Sequence, residues 1–244
     1  MVRSRLEVPP RPGPSRPILE VIALDAEDAR RAVDGGADRL ELVSGMEFAG
    51  LNPTVETFVS VRAAVSVPLR VMIRLRGGFS AGGPSDVQAL AASATALRQA
   101  GADEFVLGWL DDAGDVDIDA VRAIVDRLDG CAWTFHKAMD SARDREAAYA
   151  AIRDLPGLDT VLTSGGPALS IDVLIAEAER ERAFALEGRD LHLLVGGGLR
   201  EQHLAPLRAG GLTGFHIGSA ARQGGSWSAP VSPELVRRVR DQLL

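Results

Sequence analysis

The chain has 244 residues, of which 46% are hydrophobic and 25% charged, a composition typical of a globular protein. Its 34 acidic and 27 basic residues give a formal net charge of −7, which argues against general binding of nucleic acid, because phosphates require a basic surface. No apolar run approaches the roughly 20 residues of a membrane-spanning helix, and the single cysteine, Cys131, cannot form an intrachain disulfide. We therefore expect a cytoplasmic protein that binds neither nucleic acid nor a membrane.

The N-terminal segment 1–17 is rich in proline and arginine. It contains five prolines, and no apolar stretch follows its arginines as one would in a signal peptide. Because prolines at this density suit neither a helix nor the interior of a sheet, we expect a disordered or loosely attached tail. Residues 18–244 are then predicted to form one domain.

From residue 18 onward, apolar strand-like runs alternate with amphipathic helical patterns. The predicted strands cover residues 18–24, 39–43, 69–75, 104–109, 132–137, 160–163, 191–195 and 214–217. The predicted helices cover residues 26–34, 54–64, 85–99, 117–128, 143–154, 169–186, 200–209 and 232–243. Eight βα units in this length favour an α/β fold with a single closed (β/α)8 TIM barrel over a six-stranded doubly wound sheet.

Charged residues interrupt several predicted strands that should otherwise be apolar on both faces. The alternation of strand side chains places Glu20, Glu41, Arg74, Arg76 and His136 toward the barrel axis. Such charges are costly to bury unless they are paired or lie at the wet mouth of the barrel.

Two interpretations of these inward charges are open. Glu20 and Glu41 could pair with Arg74 in a structural ion-pair network, or they could belong to a ligand site. We predict a structural role for Glu20, which lies early in its strand. We predict a site role for Glu41, Arg74 and His136, which lie nearer the strand ends, where barrel enzymes carry their active sites.

Glycine-rich segments follow the last two predicted strands. Three consecutive glycines end the seventh strand, and Gly218 and Ser219 follow the eighth. In many barrels the loops at these two positions hold a phosphate through main-chain N–H groups, and glycine leaves room for the anion. We predict that Gly197, Gly198, Gly218 and Ser219 bind phosphate or another anion, the alternative being two tight turns without a ligand.

A second candidate group follows the fifth strand. A histidine ordinarily titrates near neutrality, and Asp140 could orient His136, which is the minimum for general acid–base catalysis. The alternative for Asp140 is a structural role in the loop or as a helix cap. Lys137 has the opposite parity, so we expect it to face the helix layer or solvent.

No motif for a metal site is present in the sequence. No His/Cys cluster has zinc spacing, and no acidic loop resembles an EF-hand. Met46, Met72 and Met139 could approach the barrel mouth as soft Cu(I) ligands, but scattered methionines more often fill gaps in a core. We therefore assign no metal ligand from the residues.

Taken in order, several segments resemble the CutC family, the so-called copper homeostasis proteins. The resemblance is carried by residues 19–21, 35–42, 50–54, 71–74, 76–78, 134–136, 162–165, 196–198 and 215–216. It runs over nearly the whole barrel. It implies a (β/α)8 barrel, a cytoplasmic location, a homo-oligomer and a link to copper, but no settled reaction.

The sequence departs from the family pattern at two positions. CutC relatives commonly carry a cysteine two residues after each early glutamate, and these cysteines have been suggested as copper ligands. Here the two positions are Ile22 and Val43, and Cys131 begins the fifth strand at the opposite end of the barrel. We therefore expect weak Cu(I) binding or none at this place.

Three functional hypotheses follow. The first is copper handling, as the family name implies. The second is an enzyme acting on a small phosphate-bearing or other anionic metabolite, with Glu41 and His136 in acid–base roles, Asp140 orienting His136 and Arg74 stabilising charge. The third is a barrel with a degenerate site. Inward Glu, Arg and His favour the enzyme, because copper storage needs no guanidinium in the mouth.

Overall fold

The computed structural model describes residues 16–166 and 191–244, and it confirms the closed (β/α)8 barrel. All strands are parallel, each pairs with the next in chain order, and the last pairs with the first. The strands are β1 (Ile18–Ala23), β2 (Arg39–Leu42), β3 (Leu69–Met72), β4 (Glu104–Leu107), β5 (Ala132–Phe135), β6 (Leu158–Thr163), β7 (His192–Val195) and β8 (Gly214–Ile217).

Helices lie between the strands, as the periodicity predicts. Within the described ranges they are α1 (Ala26–Asp34), α2 (Val55–Ala64), α3 (Pro84–Gln99), α4 (Ile118–Leu128), α5 (Ala138–Ser141), α6 (Arg145–Ile152), α7 (Glu201–Ala209) and α8 (Pro233–Gln242). The predicted helix over 169–186 and most of the predicted tail lie outside the described residues. In the described part of the chain, no helix combines the length and apolarity needed to traverse a bilayer.

The main core lies between the barrel and its surrounding helices. Outward-facing strand residues such as Leu19, Val21 and Leu40 are fully buried there against the apolar faces of the helices. Helix α1 begins where the Asp25 carboxylate accepts hydrogen bonds from the N–H groups of Glu27 and Asp28. The alternation of β1 and β2 thus sends Leu and Val to the helices and leaves the interior to their charged neighbours.

At the N-terminal end of the barrel, the interior is filled by a buried arginine. Arg70 on β3 donates hydrogen bonds to Glu104 on β4, at 3.0 Å, and to Asp159 on β6, at 2.7 Å, and it also contacts Thr134 on β5. Its side chain is only 2% exposed. One guanidinium therefore links four consecutive strands and closes this end of the barrel.

The prediction that Arg76 faces the barrel axis is wrong. Strand β3 ends at Met72, earlier than predicted, so the alternation no longer holds at residue 76. Arg76 is exposed and pairs instead with Asp86 near the start of α3.

Candidate functional site

A cavity of about 260 Å³ opens at the C-terminal end of the barrel. Much of its wall is apolar, since aliphatic, thioether and aromatic side chains contribute from several strands and loops. These side chains are Ile22, Met46, Met72, Phe79, Leu162, Leu199 and Trp227. The polar side chains of the wall belong to Glu41, Arg74, His136, Lys137, His216 and Ser219.

Most of the predicted site residues meet at this cavity. The structure brings together Glu41, Arg74, His136, Gly197, Gly198, Gly218 and Ser219. Asp140 does not line it. The Asp140 carboxylate instead accepts hydrogen bonds from the Thr163 hydroxyl at 2.6 Å and from the Ser164 N–H at 2.8 Å. Asp140 therefore holds the loop after β6 and does not orient His136.

The guanidinium of Arg74 is held by main-chain carbonyls. It donates to the oxygens of Ala49 at 2.8 Å, Gly50 at 3.0 Å and Gly78 at 2.8 and 3.1 Å. The ion pairs of Arg74 with Glu20 and Glu41, which the alternative structural interpretation requires, do not form. Within the described ranges no carboxylate lies in salt-bridge contact with Arg74, and Glu41 acts on its charge only from a greater distance.

Lys137 also lines the cavity, and its predicted outward orientation is wrong. The short helix α5 starts shortly after β5, and Lys137 is the residue that precedes it. Because the chain changes direction there, the alternation of the strand no longer applies to Lys137. The side chain reaches across to the loop after β7, where a Cβ added to Gly197 would lie 2.5 Å from the Lys137 Nζ atom. Among residues 16–166 and 191–244, no acidic side chain pairs with this ammonium group.

Lys137 is also the only lysine of the chain. The other residues in the combined count of lysine and arginine are all arginines. This uniqueness is a signal in the sequence that sets Lys137 apart from the other basic residues. A lone lysine placed in the cavity provides a compact positive charge with three donors, which suits a phosphate.

The loops after β7 and β8 offer main-chain donors beside Lys137. The N–H groups of Gly197, Gly198 and Ser219 donate no hydrogen bond to any residue that the structure describes. Gly197 and Gly198 have φ angles of 89° and 94°, which favour glycine. Both loops border the cavity, and these three donors have no partner among the described residues; that they bind an anion stays a prediction.

His136 is fully buried in the cavity wall. Its Nδ1 atom accepts a hydrogen bond from the Ala138 N–H at 3.2 Å, while its Nε2 atom has no partner in the described structure. Burial and the nearby Arg74 charge lower the pKa of His136 to about 3. A neutral ring whose Nδ1 is an acceptor carries its proton on Nε2. This arrangement suits a hydrogen-bond donor better than the acid–base group that the sequence predicts.

Glu41 forms a buried cluster with His216 and Glu20. The His216 Nδ1 atom lies 2.8 Å from a Glu20 oxygen, and its Nε2 atom lies 3.8 Å from a Glu41 oxygen. Burial raises the pKa of Glu41 to about 7, although His216 opposes this effect. Burial alone lowers the pKa of His216, but the two carboxylates outweigh it and raise that pKa above its usual value.

Glu20 has the structural role that the sequence predicts, but with a different partner. Its carboxylate pairs with Arg39 of the neighbouring strand β2, opposite which it lies in the strand register. Burial works against ionisation, yet Arg39 and His216 hold the pKa of Glu20 at about 2. Glu20 is thus a permanent anion beneath the cavity.

His216 was not among the predicted site residues. The same alternation that places Glu20 inward applies to β8, where His216 lies opposite Glu20. The signal was therefore present in the sequence. A Cβ added to Gly196 would lie 2.8 Å from the His216 ring, so the first of the three glycines makes room for this histidine.

The positions that family relatives fill with cysteine are apolar in this chain. Ile22 and Val43 face the barrel interior, as predicted, and pack with Met72 and Val106 in one cluster. Cys131 precedes β5 at the other end of the barrel. In the described part of the chain, no three His, Cys, Asp or Glu side chains are grouped as metal ligands. The residues present do not fit a thiolate Cu(I) site.

Comparison with known proteins gives consistent family matches. The model of the CutC family matches residues 18–221. A CutC family protein of Xanthomonas campestris is 34% identical over 199 residues, which cover 81% of each chain. A CutC family protein of Bacteroides fragilis is 32% identical over 203 residues, which cover 82% of this chain and 79% of that protein.

Solved structures share the fold. A Streptococcus agalactiae structure described as a copper homeostasis protein CutC superposes with a TM-score of 0.73 at 21% identity, covering 83% of this chain and 98% of that one. The N-(5'-phosphoribosyl)anthranilate isomerase of Pyrococcus furiosus superposes with a TM-score of 0.57 at 12% identity, covering 93% and 98%. At these identities the likeness concerns the fold alone.

Proposed function

The chain belongs to the CutC family, and we propose that it is an enzyme that acts on a small phosphate-bearing or other anionic metabolite by acid–base chemistry. The reaction would take place in the cavity at the C-terminal end of the barrel. Fold and family alone do not name a reaction, so the proposal depends on the residues of the cavity.

The observation that carries the proposal is the charge of the cavity wall. Arg74 and Lys137 both line the cavity, and neither pairs with a carboxylate of the described residues. A cation taken out of bulk water is costly unless an opposite charge compensates it. A ligand that brings negative charge supplies this compensation.

The surrounding wall supports a small ligand with one anionic end. The N–H groups of Gly197, Gly198 and Ser219, which have no partner among the described residues, belong to loops that border the cavity and suit phosphate oxygens. The side chain of Lys137 reaches the loop of Gly197. Apolar side chains such as Phe79 and Trp227 cover the rest of the ligand. A volume of about 260 Å³ lies below the usual range of drug-sized pockets, which favours a metabolite of few atoms.

Glu41 is the group best suited to move a proton. It is the carboxyl side chain of the cavity wall, and burial brings its pKa to about 7, so both protonation states are populated near neutrality. An acid–base group works best when its pKa lies near the working pH. His216 and Glu20 lie behind Glu41 and position it.

A titration with inorganic phosphate tests the proposal. Trp227 lines the cavity, whereas Trp109 and Trp133 are buried in the core, so bound phosphate should change the fluorescence of Trp227 in a saturable way. Lys137→Met should weaken this binding at least about tenfold, because it removes a positive charge that attracts the anion. The control Arg238→Met alters an exposed arginine of α8 and should leave the affinity unchanged. Absent binding, or undiminished binding in the lysine variant, would contradict the proposal.

Copper handling, which the family name implies, makes a different prediction. With Ile22 and Val43 at the interior positions, Cu(I) has no thiolate ligand at this place. We expect no tight stoichiometric complex when the protein is titrated with Cu(I) against a chelating competitor. The matched double variant Ile22→Cys, Val43→Cys restores the two thiols and should compete better. Tight binding by the unaltered chain would favour copper handling instead.

A further inference from the structure

We infer that the reaction is proton transfer at a carbon next to a carbonyl group, with Glu41 as the base and His136 as the hydrogen-bond donor to the carbonyl oxygen. The substrate class is then a small phosphorylated carbonyl compound. This inference rests on the proposed function and adds to it the reaction class and the division of labour between the two side chains.

The argument begins with the Nε2 atom of His136. This atom is fully buried, it belongs to a side chain of the cavity wall, and no described residue accepts its hydrogen. A buried donor without a partner is costly, because it has lost its hydrogen bond to water. A ligand oxygen that reaches this atom from the cavity would satisfy it, and the inference therefore places an oxygen of the ligand beside His136.

His136 cannot exchange this role for that of a base. Its other nitrogen, Nδ1, is occupied by the Ala138 N–H, and a Cβ added to Gly108 would lie 2.9 Å from that nitrogen, so the ring is closely packed on this side. The positive charge of Arg74 and burial both oppose protonation. The ring therefore stays neutral, and a neutral N–H can polarise a carbonyl without giving up its proton.

Glu41 approaches the cavity from another strand, and Arg74 follows one of the two strands between them. Glu41 lies on β2 and His136 directly after β5, while Arg74 follows β3 and interacts electrostatically with both. A ligand that fills the cavity is therefore in reach of a carboxylate, a neutral donor and a fixed positive charge. These are the groups that formation of an enolate requires.

The step balances without another reactant. The Glu41 carboxylate takes the proton from the carbon, and the electron pair of the broken C–H bond forms the C=C bond of an enolate. The π electrons of the carbonyl move onto its oxygen, which His136 Nε2–H binds and the Arg74 charge stabilises. Protonated Glu41 then returns the proton to the same carbon as the carbonyl forms again, which gives exchange.

Binding of two phosphate monoesters separates this inference from the proposed function. Phosphoglycolohydroxamate carries the oxygens of an enediolate, whereas ethyl phosphate carries only the phosphate. We expect the hydroxamate to bind at least about tenfold more tightly. His136→Phe should abolish this preference and leave ethyl phosphate binding intact, and His136→Gln, which keeps an N–H donor, should retain part of it.

Proton exchange supplies the second readout. With dihydroxyacetone phosphate in D₂O, the protein should replace a carbon-bound proton by deuterium, detected by proton NMR, and Glu41→Gln should stop the exchange. If ethyl phosphate binds but the hydroxamate preference and the exchange are both absent, the inference is overturned and the anion site stands. If neither monoester binds, the proposed function itself fails.

Discussion

At the residue scale, Glu41 couples the chemistry of the cavity to the stability of the fold. A carboxyl whose folded pKa is raised from its usual value of 4.5 to about 7 resists ionisation. It therefore contributes stability below about pH 4.5, and this contribution is lost as the pH rises through 7. The charged groups that face Glu41 are His216, Glu20, Arg39 and Arg70. Of these, His216 lies 3.8 Å from a Glu41 oxygen, and it offsets only part of the effect of burial on the Glu41 pKa.

Glu41→Gln should consequently be more stable than the unaltered protein at high pH. Glutamine resembles the protonated acid, so the two proteins should have similar free energies of unfolding at pH 5. At pH 9 the variant should be favoured by on the order of 3 kcal/mol, since one pKa unit corresponds to about 1.4 kcal/mol. Urea unfolding between pH 5 and 9 measures the difference. The exposed Glu47→Gln is the control, and a gap that does not widen with pH would refute the prediction.

Which residue meets which inside the barrel is the part that the sequence predicts least well. Alternation correctly places Glu20, Glu41 and Arg74 inward, but it does not give the stagger between strands. The stagger brings Glu20 level with Arg39 and His216 and leaves Arg74 among loop carbonyls. Partners in a closed barrel are set by register, which follows from the three-dimensional closure rather than from any local pattern.

At the element scale, strands and helices were predicted well because their signals are local. Apolar runs mark the strands, and glycine or a capping side chain such as Asp25 marks the helix ends. The errors arise where a strand ends earlier than its apolar pattern. Strand β3 stops at Met72, so Arg76 turns outward, and α5 starts so early that Lys137 turns inward. The residue at which a strand ends depends on the loop that follows it, and the apolar pattern of the strand does not encode that loop.

The prediction at the element scale concerns the stability that Arg70 gives to the strands of the barrel. Arg70→Met removes a buried charge that three strands pair with, and it leaves Asp159 and Glu104 without their cation. Hydrogen bonds to charged groups contribute roughly 1.5–3 kcal/mol each, and the two carboxylates left behind are partly exposed, so we expect a loss of about 2–4 kcal/mol in urea unfolding. The exposed pair of Arg238 and Glu201 supplies the control, since Arg238→Met should cost less than about 1 kcal/mol. Equal losses in the two variants would contradict a role for Arg70 in closing the barrel.

At the scale of the whole molecule, one buried ion pair connects the first helix to the segment after the last strand, and this segment borders the cavity. Asp28 on α1 accepts hydrogen bonds from Arg222, which follows β8, and from the Val231 N–H at 2.9 Å. Both charged side chains are almost completely buried. Arg222 in turn lies over the Trp227 ring, 5.1 Å from its centre, and that ring forms part of the cavity wall. Through Arg222, helix α1 thus positions the Trp227 part of the cavity wall.

Asp28→Asn should therefore lower the stability of the fold and alter the surroundings of Trp227 in the cavity wall. The variant leaves Arg222 buried without its anion, so we expect a loss of about 3–5 kcal/mol in unfolding and a change in Trp227 fluorescence. The double variant Asp28→Asn, Arg222→Met removes both charges and should recover much of the stability, because no unpaired charge stays buried. It should not recover the fluorescence, because the cation over the ring is gone. Additive losses in the double variant would show that the two residues act independently, and that the closure of the barrel does not reach the cavity through this pair.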